Sequence, residues 1–377
     1  LGAKHVDYIV PNRFDYGYGL TPEIVDVAAE RAPDLIITVD NGISSIAGVR
    51  HARELGMDVL VTDHHLPGPE LPAATVIVNP NQPGDTYASK SLAGVGVIFN
   101  IMIALRAHLR RNGWFSECGI DEFNLACVLD LVALGTVADV VPLDHNNRIM
   151  VAQGLARIRA GQCCAGILAL LDVSGRRRER IVASDMGFAI GPRLNAAGRL
   201  TDMSLGIECL LTDDTGRAMD IARQLHDLNL ERRQIQSEME LSALEDLESE
   251  LERDRVGSAA ALCLYREDWY QGVVGILASR IKEKFHRPVI VFAPDKEGRI
   301  KGSGRSINGV HIRDVLEAIS SHHPGVIEKF GGHAMAAGLS IAATDLERFG
   351  QLFDAQVRAL VDEEQLQGRI LTDGELT

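Results

Sequence analysis

A short apolar segment that ends on three potential metal ligands constrains the fold of this chain more than any other feature. Val59-Leu60-Val61-Thr62 has the composition of a strand buried on both faces, and Asp63-His64-His65 follow it directly. Residues 35–39 and 75–78 form similar segments, and residues 45–55 have a helical pattern. Strands that alternate with helices of this length predict an α/β fold with a doubly wound parallel sheet.

Side chains that can bind a metal stand at the ends of these elements. Asp40 follows the first strand, Asp63-His64-His65 follow the second, and Asp139 lies near the end of a predicted helix that Pro142 terminates. Ligands of open parallel sheets bind beyond the carboxyl ends of the strands, so we expect these residues at one rim. Carboxylates and imidazoles suit Mn²⁺, Mg²⁺ or Zn²⁺, and the absence of cysteine ligands disfavours a structural zinc.

Each of these residues alone has a simpler explanation. Asp40 could form an Asx-turn before Gly42, Asp139 could accept a hydrogen bond at a helix end, and residues 63–65 could cap the next turn. A metal site explains all three together better. Two ions about 3.5–4 Å apart, bridged by a carboxylate, can activate water and stabilise the attacking and leaving oxygens at phosphorus.

Composition bounds the class of protein. The chain has 377 residues, of which 46% are hydrophobic and 24% charged, so two globular domains are expected. It contains no apolar run long enough to cross a bilayer and no signal-peptide pattern, and we expect no membrane partner. Six cysteines without paired metal spacing indicate thiols in a reducing cytoplasm.

The charge distribution leaves nucleic-acid binding open. A net charge of −14 argues mildly against it, because phosphate recognition needs lysine and arginine. The total hides an uneven distribution, because acidic residues concentrate at 238–252 and in the tail from Asp345. A separate basic stretch contains Arg176, Arg177, Arg178, Arg180, Arg193 and Arg199.

The second half of the chain predicts a second, smaller α/β domain. Apolar residues at helical steps predict one long connecting helix, and a new strand begins near residue 259. We therefore divide the chain into residues 1–213, a connecting helix over 214–256, a second domain over 257–366 and a terminal segment over 367–377.

Two glycine-rich segments are candidates for phosphate binding. Residues 187–200 are predicted to be irregular, and Arg193, Asn195 and Arg199 on such a loop would suit bidentate phosphate recognition. Surface ion pairing is the alternative, which we favour for residues 176–180. Residues 301–306 are predicted to form a turn after a short strand. Its glycines would let a phosphate approach backbone N–H groups, and Ser303 and Arg305 would add donors.

Five motifs in order carry a resemblance to a known family. Val39-Asp40-Asn41-Gly42, Thr62-Asp63-His64-His65 and Gly135-Thr136-Val137-Ala138-Asp139 resemble three motifs of the DHH phosphoesterases. Residues 191–199 and Gly331-Gly332-His333-Ala334 narrow the resemblance to the single-strand-specific exonucleases of this family. The resemblance runs from residue 12 to about residue 368 and implies a DHH domain followed by a DHHA1-like substrate-binding domain.

The resemblance also implies roles for individual residues. Asp40 would bridge two Mn²⁺ or Mg²⁺ ions, and His64 and Asp139 would bind one of them. Asp63 would orient the loop or a ligand. His65 would face the scissile phosphate, with a purely orienting role as the alternative. Residues that would hold substrate phosphates are Arg193, Asn195, Arg199, Ser303, Arg305 and His333.

The implied activity is 5′→3′ hydrolysis of single-stranded DNA to 5′-mononucleotides, in DNA repair and recombination. The implied partners are single-stranded DNA, with single-strand-binding protein and a helicase as candidates. Two alternatives stay open. One is a DHH phosphoesterase for short oligonucleotides or a small phosphate ester, and the other is a non-catalytic DNA-binding relative that would be expected to lose its metal ligands.

The chain departs from the family pattern at both ends. The first DHH motif, which supplies further metal carboxylates, is expected upstream of Leu1, and residues 367–377 are expected to begin an OB-like domain. Asp40, His64 and Asp139 are too few to hold two octahedral ions firmly. We therefore expect residues 1–377 alone to bind Mn²⁺ weakly and to show little nuclease activity.

Overall fold

The computed structural model describes residues 1–11, 19–251, 259–362, 364–367 and 374. They form two compact units, Leu1–Asn229 and Leu230–Thr377. Of the predicted terminal segment 367–377, only residues 367 and 374 are described, so the expected start of an OB-like domain lies outside the described residues. Within the described ranges, no helix has the length and apolar content needed to cross a lipid bilayer.

The described residues of the first unit contain a three-stranded parallel sheet. Its strands are β1 (Leu35–Val39), β2 (Asp58–Thr62) and β3 (Val76–Val78), in the order β1-β2-β3. Val39 is opposite Thr62, and Thr62 is opposite Val78, so the three strands end at the same level. The predicted α/β fold with a parallel sheet and a second sheet is confirmed.

Helices make up most of the rest of the first unit, and the last of them continues into the second unit. They are α1 (Pro22–Ala29), α2 (Ile46–Glu54), α3 (Gly94–Arg111), α4 (Trp114–Cys118), α5 (Leu129–Ala138), α6 (His145–Arg159), α7 (Ala165–Val173), α8 (Ala183–Asp185), α9 (Gly191–Leu200), α10 (Ser204–Leu211) and α11 (Thr215–Leu251). Short 3-10 turns cover Leu125–Val128 and Arg178–Arg180, and a π-helical turn covers Met186–Ile190.

The sheet is buried unevenly. Val59 and Val61 of β2 pack with α1 and α2 in one apolar cluster. The prediction that β1 is a buried strand is wrong for one of its faces, because Leu35, Ile37 and Val39 are 43–48% exposed. Side chains alternate between the faces of a strand, and in the described part of the chain only the opposite face, with Ile36, joins that cluster.

The second unit is built on a five-stranded mixed sheet in the order β4-β5-β6-β8-β7. Its elements are β4 (Leu262–Tyr265), α12 (Val274–Phe285), β5 (Val289–Pro294), β6 (Arg299–Arg305), α13 (Ile312–His322), β7 (Lys329–Gly332), β8 (Ala336–Ala342), a 3-10 turn (Ala343–Asp345) and α14 (Leu346–Arg358). Ile290 and Phe292 of β5 pack with α13 and α14, whereas Val289 and Val291 pack with α12. Both faces of this sheet therefore carry a hydrophobic core.

Helix α11 contributes to the core of each unit in turn. Ile221 and Leu225 are buried in a cluster of the first unit, and Met239 and Leu247 are buried in a cluster of the second. The long amphipathic helix predicted from residue spacing is therefore present, and each of its halves buries apolar side chains within its own unit.

Candidate metal and phosphate sites

The carboxylate of Asp63 organises the segment that follows β2. It is 1% exposed, and its Oδ1 accepts hydrogen bonds from the backbone N–H groups of His64 (2.7 Å) and His65 (3.2 Å) and lies 2.7 Å from His65 Nδ1. Its Oδ2 accepts from the backbone N–H of Ile43 at 3.0 Å. Burial opposes ionisation, but these hydrogen bonds outweigh it and keep the pKa of Asp63 below its usual value.

Asparagines at the end of β3 hold the same segment from the other side. Asn79 donates to the carbonyl of His65 at 2.9 Å, and Asn81 donates to the carbonyl of His64 at 2.6 Å. Asn79 is 1% exposed. The backbone of both histidines is therefore fixed by side chains of neighbouring elements.

Asp40 lies in a tight turn at the end of β1. Its backbone has φ +64°, a left-handed conformation that aspartate tolerates better than most residues. The Asp40 N–H donates to the carbonyl of Thr62 at 3.0 Å, and Thr38 Oγ1 donates to the carbonyl of Asn41 at 2.7 Å. The turn thus directs Asp40 away from the strand and toward the residues that follow β2.

His64 lies between two carboxylates. Its Nε2 is 3.0 Å from Asp40 Oδ1 and 3.3 Å from Asp139 Oδ2, and the His64 side chain is only 12% exposed. Neither contact has hydrogen-bond geometry, so this buried nitrogen has no hydrogen-bond partner. A ring nitrogen of His65 could bind the same metal ion. Possible ligand atoms of Asp40, His64 and His65 all lie within 4.8 Å of one another.

The electrostatics of this cluster favour a bound cation. Contact with Asp40 raises the pKa of His64 more than burial lowers it. Burial and the nearby Asp40 charge raise the pKa of Asp139. The hydrogen bond with Asp63 raises the pKa of His65 against the effect of burial. A cation among these groups would relieve the carboxylate repulsion and use the lone pair of His64 Nε2.

The N-terminus of α3 lies directly against Asp40. A Cβ built on Gly94 would be 2.5 Å from Asp40 Cβ and 2.7 Å from Asp40 Cα. No other residue fits there, because such contacts would displace the Asp40 backbone. The next residue, Val95, contacts α5. A Cβ on Gly135 of α5 would be 2.8 Å from Val95 Cγ1, so α5 also packs closely against the first turn of α3.

Asp139 is the C-terminal cap of α5, as the sequence predicted for the end of this helix. The segment that follows it is held by Asn147, which is fully buried and donates to the carbonyls of Ser91 and Pro142 at 2.7 and 2.9 Å. Predicted metal residues Asp40, His64 and Asp139 are thus brought together in this unit.

The predicted arginine loop is a helix. Residues 187–200, expected to be irregular, form the π-helical turn and α9, so Arg193, Asn195 and Arg199 share one helix. Pro192 lies in the first turn of α9, where proline favours the start of a helix. The burial of Leu194 on the inner face of α9 stabilises the helix more than its glycines destabilise it. Asn195 is exposed, whereas Arg193 donates to the carbonyl of Ala189 at 2.6 Å and from Nε to His226 Nδ1 at 3.1 Å.

The predicted glycine-rich turn in the second unit is a strand. Residues 301–305 lie in β6, whose backbone pairs with β5 on one side and β8 on the other. Its N–H groups are committed to these ladders, so the expected phosphate contacts to backbone are wrong, and only side chains remain available. The glycines serve packing, because a Cβ on Gly302 would be 2.5 Å from the ring of Phe292.

Ser303 and Arg305 nevertheless lie beside a helix N-terminus. Both are on one face of β6, and Arg305 donates to Ser303 Oγ at 3.2 Å. A Cβ on Gly275, in the first turn of α12, would be 3.0 Å from Ser303 Oγ and 3.1 Å from an Arg305 nitrogen. His333 is exposed in the connection between β7 and β8, and Arg305 is opposite Ala336 at the start of β8. The three predicted phosphate residues of this unit are therefore on neighbouring elements.

Comparison with known proteins identifies the family of this chain. The model of the DHH family, N-terminal domain, matches residues 1–136, and the DHHA1 domain model matches residues 257–359. The whole chain is 57% identical to the single-stranded-DNA-specific exonuclease RecJ of Escherichia coli K12 and covers 65% of it. A crystal structure of exonuclease RecJ bound to manganese matches with a TM-score of 0.74 at 32% identity, over 94% of this chain and 83% of that one. This chain belongs to the RecJ family.

Other RecJ structures extend the comparison. The RecJ of Thermus thermophilus in complex with Mn²⁺ matches with a TM-score of 0.73 at 32% identity, over 90% of this chain and 47% of that one. RecJ structures hold Mn²⁺ or Mg²⁺, the two ions that the family resemblance implied. This chain spans 65% of the length of the E. coli relative.

Sequence reasoning missed the residues that support the cluster. Gly94, Asn79 and Asn81 are not metal ligands themselves, and their roles depend on contacts with residues distant in sequence. Gly94 had one signal that could have been used. Gly94 and Gly96 stand in the first turn of a predicted helix, and glycine is unfavourable inside a helix unless a close approach requires it.

We expect Gly94→Ala to weaken Mn²⁺ binding, because the added methyl group would displace Asp40. Losses on the order of 10–100-fold are typical when a residue supporting a metal ligand is changed. Calorimetric titration with Mn²⁺ measures this, and Gly96→Ala is the matched control on the same helix. Its Cβ would meet only side-chain atoms of Leu92 and Met150, at 3.2 and 3.5 Å. Equal Mn²⁺ affinity in the two variants would contradict the role of Gly94.

Proposed function

We propose that this chain is the catalytic core of an enzyme that hydrolyses single-stranded DNA from the 5′ end with the help of metal ions, releasing 5′-mononucleotides, in DNA repair and recombination. The observation that carries the proposal is the buried His64 Nε2, which lies within 3.3 Å of two carboxylates and has no hydrogen-bond partner. Membership of the RecJ family supplies the reaction class, because the E. coli relative is named a single-stranded-DNA-specific exonuclease.

The proposed metal ligands are Asp40, His64 and Asp139, with Asp40 as the bridge between two ions. Bound Mn²⁺ or Mg²⁺ would lower the pKa of water and stabilise the attacking and leaving oxygens. Asp63 positions both histidines through its buried carboxylate. His65 has a side chain 44% exposed and a raised pKa, which suit donation of a proton to a phosphate oxygen or to the leaving group.

The proposed phosphate contacts are side chains only. Arg193, Asn195 and Arg199 would act from α9 and not from a loop. Ser303, Arg305 and His333 would act from the second unit, where the N-terminus of α12 adds a favourable field for an anion. Recognition through phosphates would leave cleavage independent of base sequence.

We propose that residues 1–213 carry the hydrolytic site, that residues 257–366 hold the substrate and that residues 214–256 connect them. A helicase and a single-strand-binding protein are proposed partners, because an enzyme of this kind needs DNA in single-stranded form. The proposed location is the cytoplasm, in keeping with cysteines that are all free thiols.

Digestion of single-stranded DNA labelled at either end tests the activity. We expect loss of label from the 5′ end first, with Mn²⁺ or Mg²⁺ and not with chelator. In the form extended to the length of the relatives, Asp40→Asn and Asp139→Asn should abolish cleavage while the fold stays intact, because each removes charge that holds the ions. Asp58→Asn, at the other end of β2, keeps the oxygen that accepts from Thr75 and is the matched control.

The assay should compare residues 1–377 with a form extended to the length of the relatives. Release from the 3′ end, equal cleavage of duplex DNA, or full activity of either ligand variant at saturating Mn²⁺ would contradict the proposal. Full activity of residues 1–377 would show that the expected upstream ligands are unnecessary.

Arg305→Ala should weaken binding of 5′-phosphorylated single strands without base preference. Each lost phosphate contact should lower the magnitude of the slope of log affinity against log salt by about 0.7. Fluorescence anisotropy at several salt concentrations measures this slope. Arg280→Ala, on the exposed face of α12, is the matched control and should leave the slope near its original value. If the Arg305 variant kept both affinity and slope, Arg305 would have a structural role only.

A further inference from the structure

Asp40, His64, His65 and Asp139 form the proposed metal site, which we call the metal cluster. Three strongly exposed apolar side chains are associated with it. Leu66 is 71% exposed and directly follows His65, and Val140 is 85% exposed and directly follows Asp139. Phe188, also 85% exposed, lies on the π-helical turn. We call these three residues the apolar rim. In the described ranges only Val6, at 79%, is a large hydrophobic residue of similar exposure.

The turn that carries Phe188 packs against the end of α5. A Cβ on Gly187 would be 3.5 Å from Val137 Cγ1, and a Cβ on Gly191 would be 3.8 Å from Ala138 Cβ. Val137 and Ala138 are the two residues before the proposed ligand Asp139. Phe188 is therefore carried by a turn that touches the last turn of the helix bearing that ligand.

The exposure of Phe188 is imposed by a well-supported backbone. Met186, Ala189 and Ile190, the other large or apolar residues of the same turn, are all buried. Arg176 forms an ion pair with Asp185 at 3.3 Å, immediately before the turn. A π-helical turn has one extra residue per turn and occurs often at functional sites. The local structure thus presents the ring to solvent and does not leave it there by fraying.

Val140 is also held in an unfavourable state. Its φ of +61° is a left-handed conformation that is rare for a β-branched residue. An exposed valine in such a conformation has no stabilising role that its contacts explain. Strain of this kind is commonly kept where a side chain serves binding.

We propose that the apolar rim binds nucleobases of the single strand, with the ring of Phe188 stacked on one base. This inference rests on the proposed function and extends it from phosphates to bases. A single strand offers unpaired bases with apolar faces, and stacking on an aromatic ring accepts every base.

The inference also bears on strand selectivity. In a duplex each base is already stacked and paired, so its face is not available to Phe188 until the helix is opened. A rim that binds base faces beside the metal cluster would therefore favour single strands without reading their sequence.

The test combines a protein change with a DNA change. The affinity of the 377-residue chain is measured without Mn²⁺ for a fluorescent, 5′-phosphorylated thymidine oligonucleotide. It is then measured for a set of the same oligonucleotides in which one nucleotide at a time lacks its base. Phe188→Ala should weaken binding of the intact oligonucleotide about ten-fold, the size expected for one stacked base. At one position, removal of the base should weaken binding by the original chain but not by the variant.

Matched variants separate stacking from general disturbance. Phe188→Trp should keep the affinity and the dependence on that base. Phe123→Ala removes another partly exposed ring of the first unit, 41% exposed, and should behave like the original chain. The salt slope should be the same for all Phe188 variants, because no phosphate contact is lost.

The outcomes distinguish this inference from the proposed function. Normal binding by Phe188→Ala, or the same loss with every abasic oligonucleotide, would overturn base stacking and leave the phosphate contacts standing. The rim would then serve another occupant, such as a protein surface. Failure of the original chain to bind any oligonucleotide would overturn both proposals.

Discussion

The buried carboxylate of Asp63 is the interaction on which the geometry of the metal cluster depends. It accepts three backbone hydrogen bonds, from Ile43, His64 and His65, and contacts the ring of His65. A carboxylate can be buried only when such donors compensate for the loss of water. Because the hydrogen bonds come from the turn after β1 and from both histidines, one side chain fixes the positions of the two strand ends that carry ligands.

The rest of the first unit converges on the same rim. Parallel register brings Val39 and Thr62 to the same level, and α3 approaches so closely that only glycine fits at residue 94. Helix α5 ends at Asp139 after packing against that first turn of α3. The proposed ligands, from three elements that are distant in sequence, are thereby held on a rigid framework, which a metal site needs to select its geometry.

The sequence was informative where chemistry and periodicity coincide. Short apolar strands that end on Asp40 and Asp63 predicted both a parallel sheet and a metal-binding rim, because strand direction alone places such residues together. It was uninformative where glycine has a tertiary role. Residues 187–200 and 301–306 are rich in glycine and were expected to be an irregular segment and a turn. Residues 187–200 instead form a π-helical turn and a helix, and residues 301–305 lie in a central strand. Glycine lowers local propensity in both, and only contacts such as that of Gly302 with Phe292 explain its presence.

Diffraction from crystals of the chain soaked in Mn²⁺, recorded at a wavelength with strong anomalous scattering by manganese, tests the central claim most directly. An anomalous peak should lie among Asp40 Oδ1, His64 Nε2 and Asp139 Oδ2, with the Asp63 carboxylate still bound to the backbone of His64 and His65. A peak that avoids these atoms in crystals where Mn²⁺ binds elsewhere, or a cluster that stays free of metal at saturating Mn²⁺, would contradict it.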